Sequence, residues 1–193
     1  MIDLWYKLPK NPNRKFKTRS ISKIDTVVVH ATCAENWSPQ KLNALCTGAD
    51  ATPDDFTDDL KVMRNEPTCS YHDYIRSDGE VYHMVDYHIR TWHAGNWNTK
   101  SIGIALEYNP KSEMKPSQPM MTSLYNHIAI MSYMFGIENI RGHRELEGTG
   151  WYIKNGQYVQ RKTCPGMLID MDRVRVFCKE AEDSFNLTIK ERY

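Results

Sequence analysis

Two histidines and a cysteine stand out because their side chains can bind a metal ion. His30 follows three consecutive valines, His143 follows Gly142, and Cys164 lies within residues 162–165. Imidazole and thiolate are good zinc ligands, and a catalytic zinc site commonly has three protein ligands and one position for water. The three side chains would form such a His₂Cys site if the fold brings them together. Their spacing along the chain does not establish that they meet.

Other side chains compete for this role. A single histidine at a strand end is more often a core or loop residue satisfied by a backbone carbonyl. Cys33 is close to His30, but the two are an odd number of residues apart and would point to opposite faces of a continued strand. The sequence has neither the H-E-x-x-H motif of helix-borne metalloproteases nor the paired cysteines of zinc deaminases. Taken one by one, a structural role is the better interpretation for His72, His83, His88, His93 and His127.

A sheet is needed to position the candidate ligands. The β-branched run before His30 predicts a short, buried central strand. Residues 101–107 alternate between branched apolar side chains and small ones, which leaves room on one face of a second strand. An Asp-Gly pair between residues 71–76 and 80–85 predicts a β-hairpin. Residues 137–141 predict a last short strand, and residues 148–160 a loop or an extra hairpin about residues 155–156.

Local signals predict where helices begin and end. A serine followed by proline is a good helix start, and a glycine commonly ends a helix. Helices are predicted on this basis and from apolar periodicity over residues 39–47, 53–65, 118–135 and 170–185. Strands interleaved with helices predict an α/β (α+β) fold, a single domain with a central mixed β-sheet flanked by helices.

Composition narrows the classes of function. The 193 residues suit one domain, with 40% hydrophobic and 25% charged residues as in ordinary globular proteins. A formal net charge of +1 gives no reason to expect a nucleic-acid partner, and the basic residues 13–19 are expected to form a solvated arm. No apolar stretch approaches the roughly 18 residues of a membrane span, and the N-terminus lacks the apolar core of a signal peptide. We therefore expect a protein made in the cytoplasm, without membrane insertion. Its five cysteines lack C-x-x-C spacing and are not expected to form a disulfide framework.

Six motifs follow one another in a specific order. They are V-V-V-H-A-T at 27–32, Y-H at 71–72 before R-S-D-G at 76–79, W-H-A-G at 92–95, S-I-G-I at 101–104, G-H-R-E at 142–145 and K-T-C-P at 162–165. In this order they resemble the zinc-dependent N-acetylmuramoyl-L-alanine amidases of type 2, the family of phage lysozyme-type amidases and animal peptidoglycan recognition proteins. The resemblance covers about residues 24–177. We accordingly expect a catalytic domain at 24–185, an N-terminal arm at 1–23 and a tail at 186–193.

The resemblance implies a role for individual residues. His30, His143 and Cys164 would hold one Zn²⁺, and Tyr71 and Lys162 match the tyrosine and lysine that assist catalysis in the phage-type members. Cys164 favours an enzyme, because recognition proteins that bind without cleaving lack a ligand there. Cytosolic recycling amidases are less similar, since they carry a glutamate at the position of Ala105 and lack the tyrosine. The insertion between His143 and Cys164 and the helical material between residues 37 and 65 depart from the compact phage members.

The implied reaction is hydrolysis of the amide that joins the lactyl group of N-acetylmuramic acid to L-alanine. Zinc would lower the pKa of its bound water and polarise the carbonyl. Tyr71 and Lys162 would donate to the oxyanion, or one of them would pass a proton to the leaving amine. The sequence does not divide these roles between them.

Other residues are candidates for contact with the substrate. His93 lies in the W-H-A-G motif, as a substrate contact or as scaffold. Trp92, Trp97 and Asn98 are candidates to line a groove for the sugar or the stem peptide, and Glu107 is a candidate base or a partner of a catalytic group. We expect peptidoglycan as the partner and a phage or prophage endolysin as the biological role. The alternatives are a peptidoglycan-binding module without catalysis and an exported cell-wall amidase. The sequence does not determine the oligomeric state, for which a monomer is the default.

Overall fold

The computed structural model describes residues 1–48, 66–111, 115–146, 151–154, 157–160 and 163–190 of the chain. The helix predicted over residues 53–65 and the predicted catalytic Lys162 lie outside these residues. Among the described helices, none combines the length and the apolar character that crossing a membrane requires.

A mixed β-sheet of six strands forms the centre of the fold, as predicted. Its strands are β1 (Ile2–Asp3), β3 (Thr26–Ala31), β4 (Asp73–Ile75), β5 (Val81–His83), β7 (Ser101–Leu106) and β8 (Asn139–Gly142). They are arranged in the order β1-β5-β4-β7-β3-β8. β3 is parallel to both β7 and β8, and β4 is parallel to β7. β4 and β5 form the predicted antiparallel hairpin, and β1 is parallel to β5.

Two smaller strand pairs lie beside the central sheet. β2 (Lys17–Thr18) is antiparallel to β6 (Ile89–Arg90). β9 (Trp151–Lys154) is antiparallel to β10 (Gln157–Gln160), with Lys154 opposite Gln157. This pairing agrees with the extra hairpin predicted about residues 155–156.

The central strands β3 and β7 are buried along their whole length. Thr26 lies opposite Ser101 and Ala31 opposite Leu106, and every residue of both strands is buried. Parallel strands that are covered on both faces need apolar or small side chains on both faces. This requirement explains the three consecutive valines before His30 and the small residues that alternate with branched ones in β7.

The helix boundaries agree with the local sequence signals. The helices are α1 (Pro39–Thr47), α2 (Gln118–Phe135) and α3 (Met171–Lys190). At the start of α2 the Ser117 hydroxyl accepts a hydrogen bond from the Met120 N–H at 3.3 Å, and Gly136 ends the helix with φ +65°. α1 has the same kind of ends, with Ser38 as its cap and Gly48 in the left-handed conformation. α3 continues past residue 185, where the sequence predicted its end.

The two faces of the sheet bury different side chains. One face packs against α2 and α3 in a core formed by Val27, Val29, Ile102, Ile104, Leu106, Leu124, Ile128, Met131 and Val174. The other face packs against α1 and the N-terminal segment in a core formed by Leu4, Trp5, Leu42, Tyr71, Tyr74 and Ala105. Because side chains alternate along a strand, His30 lies on the second face, opposite to Val27 and Val29.

The N-terminal segment is part of this fold, although residues 13–18 are exposed, as predicted for the basic arm. β1 extends the central sheet, and Leu4, Trp5 and Leu8 are buried. Arg19, which was expected to be solvated, is only 8% exposed. Two-residue strands show no periodicity that sequence analysis can detect, and a buried arginine is rare unless its donors are satisfied.

Asp73 of β4 joins two histidines and a tyrosine beneath α2. Its carboxylate lies 2.8 Å from Nδ1 of His83 and 3.0 Å from Nε2 of His127, and it accepts a hydrogen bond from the Tyr87 hydroxyl at 3.0 Å. Burial raises the pKa of Asp73, but the two histidines lower it by more, so that it lies below the usual range. Burial lowers the pKa of His83, but the bond to Asp73 and its charge raise it by more, so that it lies above the value of a free histidine. The sequence shows no partner for His127 in its own helical turn, and the structure supplies one from the sheet.

We expect His83→Gln to destabilise the fold more in mild acid than in base. A histidine whose pKa is raised on folding contributes stability that is complete below its unfolded pKa and is lost as the pH rises through the folded pKa. The loss in free energy of unfolding should be about 1–2 kcal/mol larger near pH 6 than near pH 9, as measured by urea unfolding. His88→Gln is the matched control, because His88 forms a half-exposed pair with Asp86 and such pairs contribute little. Equal losses at both pH values for His83→Gln would contradict the assignment.

Candidate metal centre

The three predicted ligands converge at the carboxyl ends of two neighbouring parallel strands. His30 is the penultimate residue of β3, and His143 begins a 3-10 turn, His143–Glu145, directly after β8. Val29 lies opposite Gly142 in the register of these strands, so the next residue of each chain segment is one of the histidines. Their ring centroids are 4.5 Å apart.

Cys164 completes the cluster. Its Sγ lies 3.8 Å from Nδ1 of His30 and 3.3 Å from the Ala31 N–H, which donates to it. One ligand atom from each of His30, His143 and Cys164 lies within 4.8 Å of the others, and both histidines are buried. In the part of the chain that the structure describes, this is the group of side chains with the composition and spacing of a metal site. Cys33, the rival ligand, is exposed and is not part of it.

Arg144 fixes the loop that carries Cys164. Its backbone N–H donates to the Cys164 carbonyl at 2.8 Å, and its guanidinium donates to the carbonyls of Gly166 and, at 2.8 Å, Ile169. Gly166 has φ +115°, and a Cβ there would lie 2.8 Å from Cβ of Pro110. The residue after one histidine ligand therefore holds the loop of the third ligand.

Glu145 fixes the turn that carries His143. Its carboxylate accepts a hydrogen bond from the Gly142 N–H at 2.8 Å and lies 3.0 Å from the Arg175 guanidinium of α3. The carboxylate thereby closes the turn on itself and ties it to a helix of the core. Within the G-H-R-E motif, Arg144 and Glu145 therefore hold the loop of Cys164 and the turn of His143 in place.

Tyr71 lies beside the cluster, as the resemblance implied. Its ring centroid is 5.1 Å from that of His30, and the side chain is 8% exposed. Burial raises the pKa of Tyr71, and the nearby Cys164 sulfur raises it further. Tyr71 is therefore a neutral phenol that can donate a hydrogen bond into the site.

His93 contacts the candidate ligand His30 directly, which the sequence did not predict. Its Nδ1 lies 3.0 Å from Nε2 of His30, and its Nε2 lies 3.2 Å from Oγ of Ser101. Burial lowers the pKa of His93 to about 3, and the charges of His143 and Arg19 act in the same direction. The ring fits because Gly103 has no side chain: a Cβ there would lie 2.7 Å from Cγ and Nδ1 of His93. The small side chains on one face of residues 101–107 indicated that another group approaches this strand. They did not identify that group as the His93 ring.

Two of the residues predicted to contact the substrate have other contacts. Asn98 is 1% exposed, and its Oδ1 accepts hydrogen bonds from the N–H groups of His93, at 3.0 Å, and Ala94, at 2.6 Å. It supports His93 and does not line a groove, which corrects the prediction. Glu107 is 3% exposed, and its Oε2 accepts from the N–H and the hydroxyl of Ser77, each at 2.9 Å, in the turn between β4 and β5.

The two tryptophans of this region differ in exposure. Trp97 is partly buried against Val28, Ala94 and Leu146. Trp92 is 37% exposed, with the Arg90 guanidinium 4.4 Å from the centre of its ring. Of the predicted contacts, Trp92 is the large aromatic side chain that solvent reaches.

Two imidazoles at the carboxyl ends of parallel strands and a thiolate from a neighbouring loop form the kind of ligand set that a catalytic zinc site uses. The family model described as N-acetylmuramoyl-L-alanine amidase matches residues 20–167. A curated relative, the 1,6-anhydro-N-acetylmuramyl-L-alanine amidase AmpD of Salmonella typhimurium, is 30% identical over 145 residues, which cover 69% of this chain and 68% of the relative. The chain therefore belongs to the N-acetylmuramoyl-L-alanine amidase family and is an amidase that acts on peptidoglycan.

Solved structures of similar fold include an amidase, an endolysin and a peptidoglycan recognition protein. The N-acetylmuramoyl-L-alanine amidase LysC from Clostridium intestinale superposes with a TM-score of 0.65 at 21% identity, over 91% of this chain and 94% of that protein. The Ph2119 endolysin of a Thermus scotoductus bacteriophage has a TM-score of 0.63 at 16% identity, over 92% of this chain and 97% of its own. Drosophila PGRP-LB has a TM-score of 0.57 at 19% identity, over 86% of each chain. These similarities confirm the predicted fold.

We expect Arg144→Met to weaken metal binding, because the loop of Cys164 loses both guanidinium hydrogen bonds. Loss of a residue that supports a ligand typically lowers affinity by about 10–100-fold. The measurement is competition for Zn²⁺ with a chromophoric chelator. Arg173→Met, a change of an exposed arginine on α3, is the control and should bind like the parent chain. Equal affinities of the two variants would show that Arg144 does not hold the loop.

Proposed function

We propose that the chain hydrolyses the amide between the lactyl group of N-acetylmuramic acid and L-alanine with a zinc ion held by His30, His143 and Cys164. The convergence of these three side chains carries the proposal. Ligand atoms about 2.1 Å (nitrogen) and 2.3 Å (sulfur) from one tetrahedral ion lie about 3.5 Å apart. The 3.8 Å between Sγ of Cys164 and Nδ1 of His30 is close to that separation. The donor set therefore fits zinc.

Three protein ligands are the number found in catalytic zinc sites, whereas structural sites have four. When bound, zinc lowers the pKa of water toward about 7 and polarises a carbonyl group. The chain's own contribution is to keep both imidazoles and the thiolate in place from the core side. Ala31 supports the thiolate through its backbone N–H.

Tyr71 is the group that we assign to the developing charge of the substrate. As a neutral phenol beside His30, it can donate a hydrogen bond to the oxyanion of a tetrahedral intermediate or pass a proton to the leaving amine. We assign Lys162 to the same step from the family resemblance. Trp92, which is exposed, is our candidate for contact with the sugar or the stem peptide.

We infer polymeric peptidoglycan as the substrate, and thus the role of a phage or prophage endolysin, from two differences between this sequence and the recycling amidases. By the family resemblance, recycling amidases carry a glutamate at the position of Ala105, and Ala105 lies opposite His30 in the register of β3 and β7. They also lack the tyrosine at the position of Tyr71. The second candidate is a recycling amidase for 1,6-anhydro fragments, which the curated relatives named for that substrate support.

We expect digestion of purified sacculi to release intact stem peptides with a free N-terminal L-alanine. Mass spectrometry and amino-group labelling detect these products, and isolated 1,6-anhydro-muramyl peptide, assayed in parallel, should be cleaved less efficiently. A chelator should stop the release, and Zn²⁺ should restore it. Efficient cleavage of the anhydro fragment alone would favour the recycling role, and release of reducing sugar would exclude an amidase.

Cys164→Ala should abolish both zinc binding and hydrolysis, because a two-histidine site holds zinc weakly. Cys33→Ala is the matched control, since Cys33 is exposed, close in sequence to His30 and outside the ligand cluster. It should retain zinc and activity. The reverse pattern would make Cys33 the third ligand.

Tyr71→Phe should lower kcat by about 10²–10³-fold, which is the usual effect of losing one donor to an oxyanion. Zinc affinity should stay within about threefold, because the phenol is not a ligand. Tyr82→Phe, at a partly exposed tyrosine of β5, serves as control and should retain full activity. An unchanged kcat for Tyr71→Phe would remove Tyr71 from the mechanism.

A further inference from the structure

A chain of hydrogen bonds behind the ligand cluster runs from a backbone carbonyl to His30. It consists of the Trp97 carbonyl, the Ser101 hydroxyl, the His93 ring and the His30 ring, and we call it the His93 chain. The Ser101 Oγ lies 2.7 Å from the Trp97 oxygen and 3.2 Å from Nε2 of His93. Nδ1 of His93 lies 3.0 Å from Nε2 of His30.

The direction of each bond follows from the first one. A carbonyl oxygen can only accept, so the hydroxyl proton of Ser101 points to Trp97. The Ser101 oxygen then offers a lone pair to His93, and Nε2 of His93 is the donor. The His93 ring is buried between two uncharged partners, where a single N–H suffices. Nδ1 of His93 therefore carries no proton and can only accept a hydrogen bond.

The last bond determines the tautomer of His30. Because Nδ1 of His93 accepts, Nε2 of His30 must carry the proton that is donated to it. A neutral imidazole with its proton on Nε2 carries its lone pair on Nδ1. That atom is the one 3.8 Å from Sγ of Cys164.

We propose that His93 is a positioning residue which, oriented by Ser101 and the Trp97 carbonyl, holds His30 in the Nε2–H tautomer and so presents Nδ1 to the metal. Partners that fix the tautomer of a metal-bound histidine commonly raise metal affinity. Such partners are usually carboxylates or backbone carbonyls, whereas here a second, neutral histidine transmits the orientation of a carbonyl. The consequence for zinc rests on the proposed function, but the tautomer of His30 does not.

The surroundings leave the His93 ring one position. Gly103 provides the space for it, since a Cβ there would lie 2.7 Å from the ring. Asn98 holds the backbone on both sides of it through the N–H groups of His93 and Ala94. His93 is 7% exposed and does not belong to the ligand cluster. Its geometry thus suits support of His30 better than contact with substrate.

Two substitutions separate the two nitrogen atoms of His93. His93→Asn places an amide oxygen near the position of Nδ1, where it can accept from His30. His93→Gln places its amide near the position of Nε2, where it can reach Ser101 but not His30. We expect zinc affinity within about threefold of the parent chain for His93→Asn and about 10–100-fold weaker for His93→Gln. Equal affinities for the two variants would overturn the proposal.

The tautomer is measured directly by long-range ¹H–¹⁵N correlation NMR of histidine-labelled full chain, with zinc and after its removal by a chelator. We expect the His30 proton on Nε2 in both forms of the parent chain. Without zinc, His93→Gln should show a mixture of His30 tautomers. Ser101→Ala, which keeps the His93 ring but removes its hydrogen-bond partner, should show partial mixing. A proton on Nδ1 of His30 in the parent chain would overturn the proposal. Circular dichroism confirms that each variant is folded.

These measurements also separate this proposal from the proposed function. A chain with the predicted tautomer that neither binds zinc nor cleaves peptidoglycan would refute the function alone. A zinc-dependent amidase whose His30 tautomer and zinc affinity are unaffected by either His93 substitution would refute the role of His93 alone.

Discussion

The parallel pairing of β3 with β8 is the constraint on which the site depends. Since Val29 lies opposite Gly142, the chain delivers His30 and His143 side by side as soon as the two strands pair. A slip of one residue would exchange the two faces of β3, so that His30 would point into the core that holds Val27 and Val29 and away from His143. Each buried valine contributes about 1.5–3 kcal/mol relative to exposure. The hydrophobic core that stabilises the domain therefore also sets the distance between the two candidate histidine ligands.

The buried Arg19 guanidinium supports the backbone around His93. The Arg19 guanidinium donates to the carbonyls of Tyr87, at 2.9 Å, Asn98, at 2.9 Å, and Ser101, at 2.6 Å. Burial lowers the pKa of Arg19 to about 10, which leaves it charged at neutral pH. Asn98 and Ser101 are also the residues that orient His93. The N-terminal segment therefore supports the residues behind the candidate metal centre.

Sequence analysis predicted the features that depend on neighbouring residues or on motif order. The ends of α1 and α2 follow from a serine cap and a terminal glycine, which act within one helical turn. The ligand set followed from family resemblance, because spacing alone could not show that His30 and Cys164 meet. The contact of Arg19 with the Tyr87 carbonyl and the contact of His93 with His30 each join residues more than sixty positions apart. Neither contact leaves a periodic signal in the sequence. Asn98 was assigned to a groove because its polarity was visible in the sequence and its burial was not.

The buried histidines on the two faces of the sheet have partners of different charge, which suits them to different roles. On the side of α2, Asp73 supplies a carboxylate to His83 and His127, and the pKa of His83 is raised because a negative charge favours the imidazolium. On the other face, the contacts of His93 are a hydroxyl and another imidazole, and burial lowers its pKa. A metal ligand needs a free lone pair, which an imidazolium does not have. A carboxylate in place of the Ser101 hydroxyl would favour protonation of the ring that accepts from His30, and a protonated His93 could no longer accept. The neutral composition of the His93 chain therefore suits the role that we propose for His30 as a metal ligand.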